Sequence, residues 1–456
     1  MPVVPSSLDS LLFLFAGAFT APGFQTFRCL VVGFLTRIGE HTVCGMLQAA
    51  RLERTWHHSR AHYFFSGARW SVDELGLLLL DFLIATFVGK EEPIRVAVDD
   101  SLFHRRGKKV YGARYQYDGS APSGAGTKIG YGNNWVVLTL VVKLPFTERA
   151  LSLPVLFRLW LPDPQAKAAK KGVRASRKTN PAYPSKSVLA RRMLDILAAR
   201  YPMRKLQLLG DSAYATQALA GLPARVSVTS RLKSNAAIYD PKPPRTHKRG
   251  QPAKKGKRLP SLQAIADDPA TSWQEVDVTR TGKHQTANCH TFEGLWYEVW
   301  GERPVRVVMV RNPRNTTGYD IALISTDMAA SPAELIERYE QRWSIEVCLQ
   351  DAKQITGAGQ ARNRTQRAVE RTVPFGLLCQ TLTVTWYALC GRAEHDVEYR
   401  RHHAPWYRQK RNPSYQDMLS SLRRAVIAAQ YSPVTPRTLN HREITNPAYK
   451  LRSAAA

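Results

Sequence analysis

The stretch Pro93-Ile94-Arg95-Val96-Ala97-Val98-Asp99-Asp100-Ser101 decides how the chain is read. A β-branched run opened by proline and closed by polar residues predicts a short buried strand over 94–98. Downstream, Trp135 to Val142 and Leu151 to Trp160 read as further apolar strands. Ser185 to Tyr201 has apolar residues at 188, 189, 193, 196 and 197, the spacing of a helix with one buried face. Leu206 to Leu209 is a buried strand running into Gly210-Asp211-Ser212, and Val226 to Thr229 continues the sheet. Strands, a helix and further strands predict an α/β sheet domain.

Working outward, residues 1–90 read as helical: Leu11 to Phe15, Val43 to Leu52 and Ser71 to Val88 are apolar-rich, and Ser71 with Glu74 has the capping-box form. This segment is expected as an N-terminal domain with a possible DNA-binding role. Residues 91–230 form the first part of the α/β core. A β-rich insertion with a basic loop follows over 231–328, its strands predicted at 275–279, 295–300, 305–310 and 321–325. Residues 329–390 complete the core with helices predicted over 332–355 and 367–389. Residues 391–456 are a basic helical tail, with a helix predicted over 414–430 opened by Ser414 and Asp417.

The 456 residues include 65 Lys+Arg against 36 Asp+Glu, a net charge of +29. Basicity on that scale points to a polyanionic partner, nucleic acid first and an anionic membrane surface second. Two segments concentrate it: 164–182 holds six Lys/Arg and no acid, and 241–260 holds eight Lys/Arg, no acid and five prolines. Neither can pack a core, and both are expected to meet phosphate backbone. Leu75 to Val88 is too short for a bilayer and is interrupted by Asp81, and the apolar start at Leu11 to Phe19 is preceded by Asp9 and no Lys or Arg. Both are read as buried helices, with no membrane partner. The six cysteines contain no C-x-x-C pair and suit a reducing cytoplasm. His284, Cys289 and His290 lack a fourth ligand, and His58 and His62 lack the zincin glutamate, so neither group is read as a metal site.

Three acids stand out by context: Asp100 and Asp211 at strand ends, and Glu346 in the helix after the β-rich stretch. Strand-end carboxylates of an α/β sheet lie at the edge where ligands bind. Three of them converging from distant positions suit hard divalent cations, two of which can clamp the oxygens of a phosphoryl displacement. On a helix at about 100° per residue, Tyr339, Arg342, Glu346 and Lys353 share one narrow stripe. Ile345, Cys348, Leu349, Ala352 and Ile355 fall on the other side. Asp99 and Asp100 are adjacent, and strand alternation sends them to opposite faces.

The spacing Tyr-x2-Arg-x3-Glu-x6-Lys, met by Tyr339, Arg342, Glu346 and Lys353, resembles the signature of DDE transposases of bacterial insertion sequences, in the insertion-sequence-four-like group. Val98-Asp99-Asp100-Ser101 resembles that group's first motif, and Gly210-Asp211-Ser212-Ala213-Tyr214 its second. The resemblance covers about residues 90 to 375. It implies a ribonuclease-H-like catalytic core and a metal triad of Asp100, Asp211 and Glu346, with Asp99 as the alternative first carboxylate. It implies Mg2+ as cofactor, with Mn2+ able to substitute. Tyr339, Arg342 and Lys353 would hold DNA near the cut. The activity implied is hydrolysis at element ends followed by strand transfer into target DNA, by a homodimer or larger assembly in the bacterial cytoplasm at the nucleoid. The alternatives are a ribonuclease-H-like nuclease without strand transfer and an inactive DNA-binding derivative.

The charge alone generates a test. Affinity for any duplex is expected to fall steeply as salt rises from about 50 to 200 mM, as it does when several phosphates are neutralised. A flat salt dependence in a fluorescence-anisotropy titration contradicts it.

Overall fold

The computed structural model describes residues 4–121, 128–164, 180–244, 253–280 and 282–431. Residues 165–179 of the first basic segment and 245–252 of the second lie outside those residues. Helices come first: α1 (Ser6–Phe13), α2 (Ala21–Thr36), α3 (Val43–Ala49), α4 (His58–Ser66) and α5 (Val72–Phe87). Strands β1 (Ile94–His104), β2 (Arg114–Tyr117), β3 (Ile129–Val142) and β4 (Leu151–Trp160) lead to α6 (Lys186–Arg200). Then come β5 (Leu206–Gly210), β6 (Val226–Arg231), α7 (Leu262–Asp267), β7 (Gln274–Arg280), β8 (Lys283–Leu295), the short α8 (Tyr297–Trp300), β9 (Pro304–Arg311) and β10 (Ile321–Ser325). The chain closes with α9 (Pro332–Gln341), α10 (Trp343–Asp351), α11 (Gln366–Cys390), α12 (Ala393–His403) and α13 (Tyr415–Tyr431). The protein is thus a mixed α/β fold with helices at both ends, consistent with a ribonuclease-H-like nuclease core.

The chain forms two compact units: one takes 1–90, 100–183 and 346–456, the other 91–99 and 184–345. The boundary expected at 90 coincides with one of these; those expected at 230, 328 and 390 do not. Residues 1–90 fall in the same unit as 100–183 rather than in a unit of their own. Strand β1 and helix α10 each run from one unit into the other.

In the unit holding 184–345, the strands lie in the order β1-β5-β6-β10-β9-β8-β7. The first part of β1 pairs parallel with β5, and β5 pairs parallel with β6. β10 then pairs antiparallel with β6 and continues into a meander through β9 and β8 to β7. The β-rich stretch therefore extends the sheet through β10. One of its expected strands differs: 295–300 ends β8 and turns into α8, whose Trp300 is buried. Strand β8 escapes a reading by hydropathy because it is polar, with only Ala287 and Cys289 buried along its first ten residues. Helix α9 covers this sheet. Leu335 and Ile336 join Val278, Cys289, Val308, Val310 and Leu323 in one core cluster, with Tyr339 packed against it. Ser331 and Glu334 cap the start of α9 reciprocally.

In the unit holding 1–90, α11 is the central element. By length and composition it could cross a bilayer, but its most apolar window is 89% buried inside the fold. Thr381 Oγ1 on α11 donates to Pro154 O on β4 at 2.8 Å. Helix α5 approaches the same strand at Gly76, where an added Cβ would stand 1.9 Å from Val155 O. Any side chain there would force helix and strand apart.

The helix expected over 332–355 is interrupted twice. Arg342 N bonds Tyr339 O and Ile345 N bonds Arg342 O, both at 3.1 Å, so the chain tightens between α9 and α10. Ala352–Thr356 then widens into a π-type turn, ended by Gly357 at φ +74°. A Cβ on Gly357 would also meet the His41 ring at 2.2 Å. The count of 100° per residue cannot pass through both interruptions. Ile345, Cys348, Leu349 and Ala352 are buried as expected, but after the wide turn Thr356 is buried where Ile355 was expected.

Burial pushes the Asp351 carboxyl up from 3.8 to about 6. A carboxyl with a raised folded-state value binds its proton more tightly folded than unfolded. Stability is therefore lost as pH rises from about 4 to about 6, and the cost persists above that. A shift of this size corresponds to at most about 3 kcal/mol, less what residual water screens. The Tm of Asp351→Asn relative to wild type is expected to rise between pH 4 and pH 7. An unchanged difference across that range contradicts the assignment.

Candidate active site

The parallel pairing of β1 and β5 positions the acids. Its register matches Ile94 with Leu206 and Ala97 with Leu209. The paired residues run to Ala97 and Leu209, and Asp99 and Asp211 each lie two residues beyond them, Asp211 just past the end of β5. Val96, Ala97 and Val98 are fully buried, whereas Asp99, Asp100 and Asp211 are partly exposed. The polar edge begins where these parallel strands leave the covered part of the sheet, the usual ligand edge of such a sheet.

Asp100 was expected at the end of the first strand, but β1 continues to His104 and Asp100 lies within it. Alternation then becomes informative. Arg95 donates to Gln207 Oε1 on β5 at 3.1 Å and to Gln341 Oε1 at the end of α9 at 2.6 Å. Four residues on, Asp99 Oδ2 lies 3.9 Å from Arg342 Nη1. Arg95 and Asp99 thus share the face of β1 that looks toward the end of α9. Asp100 takes the other face.

Asp211 follows β5 directly. Its Oδ1 accepts the Ala213 N–H at 2.9 Å, which fixes the orientation of the carboxylate. Its carbonyl accepts from Tyr214 N at 3.1 Å and from Ser230 Oγ at 3.0 Å, tying the turn to β6. Tyr339 is held above its ordinary value mainly by burial; the Arg342 charge opposes this and the Asp211 charge adds to it. The Arg342 guanidinium lies 5.5 Å from the Tyr339 ring centroid. Arg342 itself is only 9% exposed, so it faces the interior rather than an open helix surface. A guanidinium so buried needs a counter-charge, and its ion pair is with Asp99.

Four of the residues singled out from sequence, Asp99, Asp211, Tyr339 and Arg342, therefore come together within one unit. Asp100, Glu346 and Lys353 belong to the other. Glu346 is on α10, about one turn past Arg342, and is partly exposed. Lys353 lies in the π-type turn, its Nζ 3.2 Å from Ser120 Oγ and 5.8 Å from the Phe103 ring centroid. Among the described residues, no three His, Cys, Asp or Glu side chains are grouped as ligands of a metal ion. The donor chemistry of Asp99, Asp211 and Glu346 is nonetheless that of hard divalent cations.

Two features escaped the sequence reading. Arg95, which looks like a surface charge on a strand, ties β1 to α9. Asp118, almost fully buried, joins His104 Nε2 at 2.9 Å and Ser120 Oγ at 2.6 Å. Burial alone would raise the Asp118 carboxyl; hydrogen bonds from Ser120 and His104 and the Lys353 charge bring it below its ordinary value. Asp118-Gly119-Ser120 is a turn signal that marked this spot, with nothing nearby in sequence to link it to Lys353.

No curated protein matches this chain. Residues 15–294 match the family model described as DDE superfamily endonuclease. That span includes Asp99, Asp100 and Asp211 and ends before Tyr339, Arg342, Glu346 and Lys353. It also begins well before the 90–375 of the sequence resemblance, taking in most of the N-terminal helices. With more than half of its length matched, the chain belongs to the DDE superfamily endonucleases.

Proposed function

We propose that this endonuclease is a transposase that binds the ends of an insertion element, hydrolyses a phosphodiester there and joins the freed 3′-hydroxyl to target DNA. The observation that carries the reading is that Asp99 and Asp211, each two residues beyond the β1–β5 pairing, both act on the Tyr339 and Arg342 pair, Asp99 through its ion pair with Arg342 and Asp211 through its charge on Tyr339. The Tyr-Arg-Glu-Lys spacing supports the insertion-sequence-four-like group. The carboxylates that would hold Mg2+ are Asp211, Glu346 and one of the adjacent pair. The motif in sequence favours Asp100; the shared face with Arg95 and Arg342 favours Asp99, and Asp99 is our choice.

A bound divalent cation supplies activation of water and neutralisation of phosphate charge. The protein's own part is positioning. The Ala213 N–H holds the Asp211 carboxylate in one orientation. Arg342 neutralises Asp99 and keeps two neighbouring carboxylates from repelling one another. Tyr339, kept protonated by its surroundings, presents a hydroxyl donor. Lys353 serves as a point charge for a phosphate. The net charge of +29 suits element ends and target DNA bound together by a dimer or larger assembly.

The test is cleavage and joining of a labelled element end into a plasmid with Mg2+ or Mn2+. Asp99→Asn, Asp211→Asn and Glu346→Gln should each abolish cleavage while end binding persists, and Asp100→Asn should be milder. An active Asp99→Asn beside a dead Asp100→Asn reverses the choice between them. Nicks without joined product leave a nuclease and remove the transposase. Cleavage retained in all four variants removes the site.

A further inference from the structure

Helix α12 and the turn after it form a surface that the catalytic reading does not use. Residues 399–411 hold five Lys/Arg, two histidines and three aromatic residues, with no Asp or Glu. Trp406 is 78% exposed, Tyr407 47% and Tyr399 46%. Arg408 and Arg411 are exposed beside them. An open hollow of about 640 Å³ is lined by Pro405, Trp406, Tyr407, Arg408, Gln409 and Lys410.

The turn that carries Trp406 is held in place. Tyr399 stacks on His403 at 4.0 Å between centroids, one turn along α12. Pro405 opens a short 3₁₀ turn, and Tyr407 N bonds Ala404 O at 2.9 Å. Arg401 Nε donates to Lys410 O at 2.8 Å and closes the loop. Asp417, buried, pairs with Arg400 at 3.4 Å and Lys410 at 2.9 Å, anchoring both ends to α13. A fixed turn thus holds an indole out in solvent, with Arg408 lining the same hollow and Arg411 exposed three residues on.

We infer that this surface binds single-stranded DNA, with Trp406 stacking on an unpaired base and Arg408 and Arg411 meeting the flanking phosphates. Exposed rings beside arginines are the recurring elements of single-strand sites, where each base offers a face and the backbone offers charge. A paired duplex presents phosphates but no base face to Trp406, so the ring adds nothing to duplex binding. The surface would take the unpaired strand that any end-cutting or nicking activity exposes.

Binding is measured in EDTA, so that it does not depend on the catalytic carboxylates or on the transposase reading. The probes are fluorescent oligo-dT and a duplex of equal length, with the full chain. Trp406→Ala is expected to weaken oligo-dT binding roughly tenfold and leave duplex affinity unchanged. Trp406→Phe should recover most of the loss. Arg408→Ala with Arg411→Ala should weaken both probes and flatten the salt dependence. A matched Tm for Trp406→Ala excludes unfolding as the cause. Equal oligo-dT affinity of Trp406→Ala and wild type overturns the inference. So does a Trp406-dependent gain in binding to anionic phosphatidylserine vesicles without any oligo-dT effect, which would make the surface a membrane contact.

Discussion

The parallel backbone ladder between β1 and β5 is the constraint on which the candidate site rests. Parallel strands of this kind are covered on both faces, and most of their interior positions are apolar. Val96, Ala97, Val98, Leu208 and Leu209 meet that demand with almost no exposure. The first acids can stand only where the cover ends. Because the two strands run the same way, Asp99 and Asp211 each follow the last paired residues, Ala97 and Leu209, by two positions. Asp99 and Asp211 both act on the pair Tyr339 and Arg342 for that reason, although more than a hundred residues separate them in the chain.

Two carboxylates near one another repel each other unless positive charge is close. The fold supplies Arg342, brought inward by the tight turn between α9 and α10. That turn does what a continuous helix could not. It aims one guanidinium back at β1 while α10 carries Glu346 onward. Arg95 performs a related task further down the strand, locking the same face of β1 to the last residue of α9. The electrostatics and the packing of this edge therefore rest on the same short segment of chain.

Much of this was legible in the sequence, and the failures have physical causes. The β-branched run at 94–98, the apolar strands at 135–142 and 151–160, and the helix expected over 185–201 follow from local pattern, and all form. The end of β1 was misread because Asp99-Asp100-Ser101 looks like a strand terminus, whereas the ladder continues through polar residues to His104. Strand β8 was hidden because most of its side chains are polar. The break at Arg342 leaves no trace in composition, since no proline or glycine marks it. Helix α11 forms as expected, but which acids share a unit is a matter of register and of chain path, and neither is written in a local window.

The choice between Asp99 and Asp100 shows why motif and geometry can point apart. A motif reads order along the chain, where two adjacent acids are almost equivalent. A strand reads parity, where adjacent residues are as different as they can be, one on each face. Once Arg95 is fixed against Gln341, every second residue of β1 inherits that face, and Asp99 inherits it four residues later. Sliding β1 by one residue would exchange the two acids, but it would also turn Arg95 away from α9 and change the face of every buried valine. The buried core of β1 thus fixes which acid Arg342 can reach.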